Sequence, residues 1–267
     1  MDAIATTASA PPASSDPATR WPHTRWQAGA VHLAISIVIG ALLFVLVRWV
    51  WYPGVLFRIS GGAELALLVI GVDVVIGPLL TTVVFSRKKK RLWFDLSVIA
   101  LLQLAAFGYG AYITLAARPV FLVGAIDRVQ AVGLNEIAPE NWAGAAPEAQ
   151  VSWWGPRWVG VTVPLDQRLR EGILFGEVGG GADMPFLPGL YQSLDSVKSE
   201  LLVHARSPST LSEASRSSIE RVVGKENAAA ARILPLVGRV GSAVLLLDEQ
   251  GNPGRMIDAD PWTAPAN

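Results

Sequence analysis

Three polar side chains lie inside long apolar stretches of the chain, where they could form a buried polar site. Asp73 stands near the middle of the second stretch, and His32 and Gln103 stand in the first and third. A carboxylate at mid-depth in a bilayer costs roughly 2.5–3.5 kcal/mol on insertion scales, and it normally faces a partner or a cavity. The residues favour a hydrogen-bonded clamp that joins three helices. A docking point for a polar group on another membrane helix and a proton relay stay open as alternatives.

Gly77 and Pro78 follow Asp73 at a distance of about one helical turn. Proline removes one backbone hydrogen bond and kinks a helix. Small residues let helix backbones approach closely in a membrane. We expect such close packing at four glycines: Gly71, Gly77, Gly108 and Gly110.

Catalytic or metal chemistry is not indicated in the rest of the sequence. The chain contains no cysteine, which excludes disulfides, thiolate metal sites and a cysteine nucleophile. The sequence contains no HExxH, GxSxG or P-loop motif. We therefore expect no catalytic residue, no metal site and no cofactor.

The composition and three apolar stretches predict a membrane protein. Apolar residues make up 51% of the chain and charged residues 16%, against about 25% charged residues in soluble domains. Stretches at about 28–50, 65–85 and 96–117 each reach the roughly 20 residues that a spanning helix needs. They predict a three-helix transmembrane domain over residues 25–117. Residues 1–24 are expected to be a disordered cytoplasmic leader.

Five consecutive basic residues between the second and third stretches predict the orientation in the membrane. They are Arg87, Lys88, Lys89, Lys90 and Arg91. Short loops rich in Lys and Arg stay in the cytoplasm, so this run serves as a topology anchor that also attracts anionic lipid. The N-terminus is then cytoplasmic and residues 118–267 lie on the outer side of the membrane, which in a Gram-negative cell is the periplasm. Nucleic-acid binding is not favoured. Aromatic residues at the predicted span ends fit membrane interfaces: Trp21, Trp26, Trp49, Trp51, Tyr52 and Trp93.

Residues 118–267 are expected to form a periplasmic α+β domain with a mostly antiparallel sheet. Predicted strands cover about 120–132, 158–163, 233–236, 242–248 and 254–258, and predicted helices cover 190–205 and 211–231. A capping-box pattern from Thr210 to Glu213 would start the second helix. A proline-rich loop is the candidate partner-binding segment, and its members are Met184, Pro185, Phe186, Leu187, Pro188 and Tyr191.

The chain resembles the type IV pilin accessory proteins of the TfpX/TfpZ type over about residues 25–132. The segment from Gly71 to Leu80, with Asp, Gly and Pro inside one span, carries the resemblance most specifically. Other matching residues are Trp51–Gly54, Gly61–Gly62, Phe94–Leu96, Gln103–Ala106, Tyr109–Gly110 and Arg118–Val120.

This resemblance implies an inner-membrane accessory protein for type IV pilus biogenesis. Such a protein is non-catalytic and assists the stability or assembly of a cognate major pilin by binding it. Other pilus assembly proteins are further candidate partners. A membrane-embedded enzyme or a sensor subunit that uses Asp73 and the periplasmic domain is the alternative. A transporter subunit is disfavoured because three spans without an internal repeat do not suggest autonomous transport.

Overall fold

The computed structural model describes residues 24–86, 90–164, 167 and 182–264. The predicted leader, which includes Trp21, lies outside the described residues except for Thr24. The basic residues Arg87, Lys88 and Lys89 also lie outside them.

Three long helices form the first part of the chain. Helix α1 covers Arg25–Leu46 and continues through a π-helical turn at Val47–Trp51. Helix α3 covers Gly62–Val84, and helix α4 covers Leu92–Ala116. All three are long and apolar enough to cross a membrane, which confirms the three predicted spans. Thr24 starts α1 through a capping box with Gln27.

Helix α3 packs against both α1 and α4. On the α1 side, a Cβ atom at Gly40 would lie 2.9 Å from Ile70 Cγ2. On the α4 side, a Cβ atom at Gly110 would lie 2.6 Å from Val69 Cγ2. These approaches are closer than any other residue type allows without a shift. The expectation of close packing is wrong at Gly71 and Gly108, because no atom lies within 4 Å of a Cβ built there.

The second part of the chain is a curled six-stranded sheet with short helices. The strands are β1 Pro119–Ala125, β2 Arg128–Gly133, β3 Arg157–Val161, β4 Arg232–Val237, β5 Ser242–Leu247 and β6 Pro253–Ile257. The helices are α5 Lys198–His204, α6 Glu213–Val223 and α7 Lys225–Ala230. Short 3₁₀ turns cover Leu134–Glu136, Pro139–Trp142, Met184–Phe186, Pro188–Leu190, Leu194–Ser196 and Pro208–Thr210.

The sheet is mixed, so the prediction of a mostly antiparallel sheet is wrong. Its strand order is β3-β1-β2-β4-β5-β6, with parallel pairs β1–β3 and β2–β4. The physical reason is the position of the connection over residues 134–156. Pro119 pairs with Gly133 and Phe121 pairs with Arg157. The connection therefore leaves β2 and enters β3 at the end of the sheet where β1 starts. Strand β3 therefore runs in the direction of β1.

Several element boundaries differ from the predictions. The single strand expected at 120–132 is the β1–β2 hairpin, whose turn places Ile126 at φ 50° without a glycine signal. The helix expected at 211–231 breaks at Gly224, which has φ 85°, and its N-cap is Ser212 rather than Thr210. The helix expected at 190–205 consists of 3₁₀ turns followed by α5.

One face of the sheet packs against α5 and against a short helix between the first two spans. This helix, α2, covers Leu56–Ile59. Leu56 and Ile59 are fully buried in the same cluster as Leu201 of α5. The chain between α1 and α3 therefore contributes to the core of the sheet domain. On the opposite face, one cluster lies under the 3₁₀ turns and another under α6 and α7.

Helix α2 and its neighbours join the sheet domain to the helices. The hydroxyl group of Tyr52 donates to the Thr114 carbonyl at 2.9 Å, although the sequence placed Tyr52 at the membrane interface. Val240 N–H donates to the Ile59 carbonyl at 2.9 Å. Arg58 donates to the Ser242 carbonyl at 2.8 Å. The first contact thus fixes the end of α1 against α4, and the other two tie α2 to the sheet domain.

Candidate functional site

Asp73 and Gln103 form a polar pair between α3 and α4. Gln103 Nε2 donates to Asp73 Oδ1 at 3.1 Å. The Gln103 amide lies against Gly77, where any side chain would displace it. Gly77 therefore makes room for the polar pair. Gln103 Oε1 is buried without a hydrogen-bond partner among the described residues. Such an unpaired buried acceptor costs about 1–3 kcal/mol.

His32 does not join this pair. Its Nδ1 lies 2.6 Å from Thr81 Oγ1, which links α1 to α3. The structure therefore separates the expected three-helix clamp into two polar contacts, one on each side of α3. The Thr82 hydroxyl donates to the Pro78 carbonyl at 2.7 Å. The sequence did not identify Thr81 as the partner of His32. Its position three residues after Pro78 does not indicate this contact.

An apolar groove of about 500 Å³ runs between α3 and α4 beside the Asp73–Gln103 pair. Leu68, Val72 and Leu102 line it and are exposed, so the groove opens on the surface that lipid would cover. Asp73 is the one carboxylate among the described residues that line it. The arrangement offers a long apolar surface with a single acidic position.

A second groove of about 540 Å³ contains His32 and Thr81. It lies at the opposite end of the helices from the sheet domain, where Trp93 and Leu96 of α4 complete its wall. Its polar pair joins Nδ1 of His32 to the Thr81 hydroxyl, and it contains no carboxylate among its lining residues.

The predicted partner-binding loop packs largely into the sheet domain. Tyr191 is buried and its hydroxyl donates to the Pro185 carbonyl at 2.6 Å. Its ring meets Phe121 edge-on at a centroid distance of 5.0 Å. Burial raises the pKa of the Tyr191 phenol, so Tyr191 stays a neutral donor. Pro188 is also buried. A partner would reach mainly the half-buried side chains, which are Met184, Phe186 and Leu187.

Two residues of the basic run are described, and both are exposed. Lys90 and Arg91 precede α4, where Arg91 is the N-cap residue. In the described part of the chain, no three His, Asp or Glu side chains lie close enough together to hold a metal ion.

Comparison with known proteins gives three similar relatives, all from Dichelobacter nodosus. The serogroup E1 fimbrial assembly protein is 30% identical over 245 residues, which cover 88% of this chain and 95% of that protein. The fimbrial assembly protein of serogroups C1 and C2 is 38% identical over 113 residues, covering 42% of this chain and 86% of the relative.

The serogroup I fimbrial assembly protein is 36% identical over 124 residues, covering 46% of this chain and 48% of the relative. The match thus spans about half the length of that protein. No protein-family profile and no solved structure matches the chain. Because the serogroup E1 relative is matched over nearly its whole length, the chain belongs to the family of fimbrial assembly proteins.

Proposed function

We propose that this protein is an assembly factor for a type IV pilus and that it binds the membrane helix of a cognate major pilin. The α3–α4 groove is the binding site, and binding assists the stability or assembly of that pilin. One observation carries the proposal: an outward-facing apolar groove between two spans is lined by the half-buried Asp73, which Gln103 holds in place through one carboxylate oxygen.

The groove fits a helix better than it fits a small soluble ligand. It extends along α3 from Leu65 to Leu80, a distance of about 22 Å at 1.5 Å per residue. Association of helices in lipid depends on close packing and on hydrogen bonds between helices. The apolar walls supply the packing surface, and Asp73 with Gln103 supplies the polar position. A pilin helix with one polar group at that depth would complete the site.

The same proposal includes the orientation of the chain. The N-terminus and the basic loop lie in the cytoplasm, and the sheet domain lies in the periplasm beside the pilin head. Lys90 and Arg91 at the start of α4 support this orientation because basic short loops stay in the cytoplasm. The sheet domain then acts as a chaperone-like holder for the head, with Met184, Phe186 and Leu187 as the accessible part of the predicted loop. This is the role expected of the TfpX/TfpZ type.

The proposed role is non-catalytic. A proton relay needs a chain of titratable groups across the membrane, whereas Asp73 is the one carboxylate among the described groove residues. The partner of Asp73 is an amide, which does not titrate. A membrane-embedded enzyme or a sensor subunit would instead need Asp73 to change its charge.

A groove-filling substitution tests the proposal. Ala106 lines the groove, while Ala105 is an exposed neighbour outside its lining. In a strain that lacks the chromosomal gene, we expect Ala106→Phe to reduce surface pili and Ala105→Phe to restore them. Blotting for pilin in both strains separates the two roles: lost pilin indicates a stabiliser, and normal pilin with few pili indicates an assembly factor. Full piliation with Ala106→Phe at normal protein level would contradict the proposal.

A further inference from the structure

The loop between β2 and β3 exposes two adjacent tryptophans that the sequence analysis did not single out. Trp153 is 66% exposed and Trp154 is 86% exposed. Val151, two residues earlier, is exposed as well. Two neighbouring indoles on the surface of a domain expose far more apolar area than scattered single residues do.

Contacts at both ends of this loop place it beside the ends of two spans. Arg118 follows the C-cap residue of α4. Its guanidinium lies 5.2 Å from the Trp153 ring centroid and donates to the Ser152 carbonyl at 3.5 Å. Arg118 also donates to the Leu115 carbonyl at 2.9 Å in the last turn of α4. A Cβ atom at Gly155 would lie 4.0 Å from the Val50 carbonyl at the end of α1.

The loop therefore continues an aromatic girdle of the helices. Trp26 and Trp93 are exposed at the end of the spans distant from the sheet, and Trp49 and Tyr112 are exposed near the other end. Trp26 and Trp49 are 23 residues apart along α1, about 34 Å at 1.5 Å per residue. This separation matches a hydrocarbon core of about 30 Å with an interfacial aromatic ring on each side.

We propose that residues 151–155 form an interfacial lipid anchor, in which Trp153 and Trp154 insert between the head groups of the bilayer leaflet next to the sheet domain. Indole rings bind at this depth because their bodies are apolar and their N–H groups remain near water. The loop thereby gives the sheet domain a membrane contact in addition to the spans. This contact fixes the tilt of the sheet relative to the bilayer. The anchor does not depend on the proposed function.

Single labelled cysteines test the anchor, since the natural chain contains none. The probe is an environment-sensitive fluorophore on Trp154→Cys, in the full chain reconstituted into phosphatidylcholine–phosphatidylglycerol vesicles. The matched control is Val203→Cys, because Val203 is also highly exposed, at 80%. Val203 lies near Arg232 and Leu247, so it is at the end of β5 that is distant from α2. Val151→Cys provides a second loop position.

We expect the loop probes to emit at shorter wavelength than the Val203 probe and to be quenched by lipids that carry a quencher near the head group. Their depth should lie within about 5–10 Å of the boundary between head groups and acyl chains. The Val203 probe should be quenched by iodide from the water. Equal emission and equal iodide access at the loop and control positions would overturn the proposal. A loop that instead binds another protein gives that result, because the vesicles contain this chain alone.

Discussion

At the residue scale, the Asp73–Gln103 hydrogen bond is the polar contact that defines the candidate site. Its energy is measurable by a double-mutant cycle with Asp73→Ala, Gln103→Ala and the double variant, followed by unfolding in detergent. We expect a coupling free energy of about 0.6 kcal/mol, because buried hydrogen bonds between membrane helices average that value. A parallel cycle between Asp73 and Thr81 should show no coupling. Equal coupling in both cycles would contradict the assigned pairing.

Only part of this site can be predicted from the residues. The sequence identifies Asp73 as a costly intramembrane group and provides two partners for it, His32 and Gln103. It does not choose between them, because all three helices are apolar on nearly every face and their hydrophobic pattern does not fix their rotation. The structure selects Gln103 and pairs His32 with Thr81.

At the scale of elements, α2 shows how a short segment between two spans can complete the core of another domain. Gly238 follows β4, and a Cβ atom there would collide with the backbone of Ile59. We expect Gly238→Ala to lower the free energy of unfolding of the sheet domain by about 1–3 kcal/mol, the usual cost of overpacking. Thermal unfolding in detergent measures this change.

Gly241 in the same turn is the matched control. A Cβ atom there would lie 3.6 Å from Arg58 Nη1, which is ordinary contact. Gly241→Ala should therefore change stability by less than about 0.5 kcal/mol, as surface substitutions usually do. Equal losses in the two variants would show that the turn itself, and not the collision with the Ile59 backbone, is sensitive.

The long elements were predictable and the short ones were not. The spans follow from length and hydropathy alone. Helix α2 has four residues, too few for a periodic pattern, so its burial depends on contacts across the chain. The β1–β2 turn was not predicted because the residue with positive φ is Ile126, and not the Gly, Asn or Asp that usually marks such a turn. The parallel pairing of β3 depends on where a long connection ends, which local sequence does not specify.

At the scale of the whole molecule, the proposed function requires the sheet domain to lie in the periplasm. Alkaline phosphatase folds into an active enzyme only outside the cytoplasm. We expect a fusion after residue 200 to be active and a fusion after Lys90 to be inactive, with a cytoplasmic reporter showing the reverse pattern. Activity of the phosphatase at Lys90 alone would invert the orientation and remove the proposed contact with the pilin head.

The most direct test of the central claim is site-specific photocrosslinking in cells that make pili. A benzophenone side chain at Leu102 faces the α3–α4 groove, and the same group at Leu104 lies outside the groove lining. The two positions are similarly exposed, at 64% and 70%. The proposed function predicts a strong pilin adduct from Leu102 and a weak one from Leu104. The adduct from Leu102 should weaken when the same chain carries Ala106→Phe. Absence of a pilin adduct from Leu102 in normally piliated cells would contradict binding in this groove.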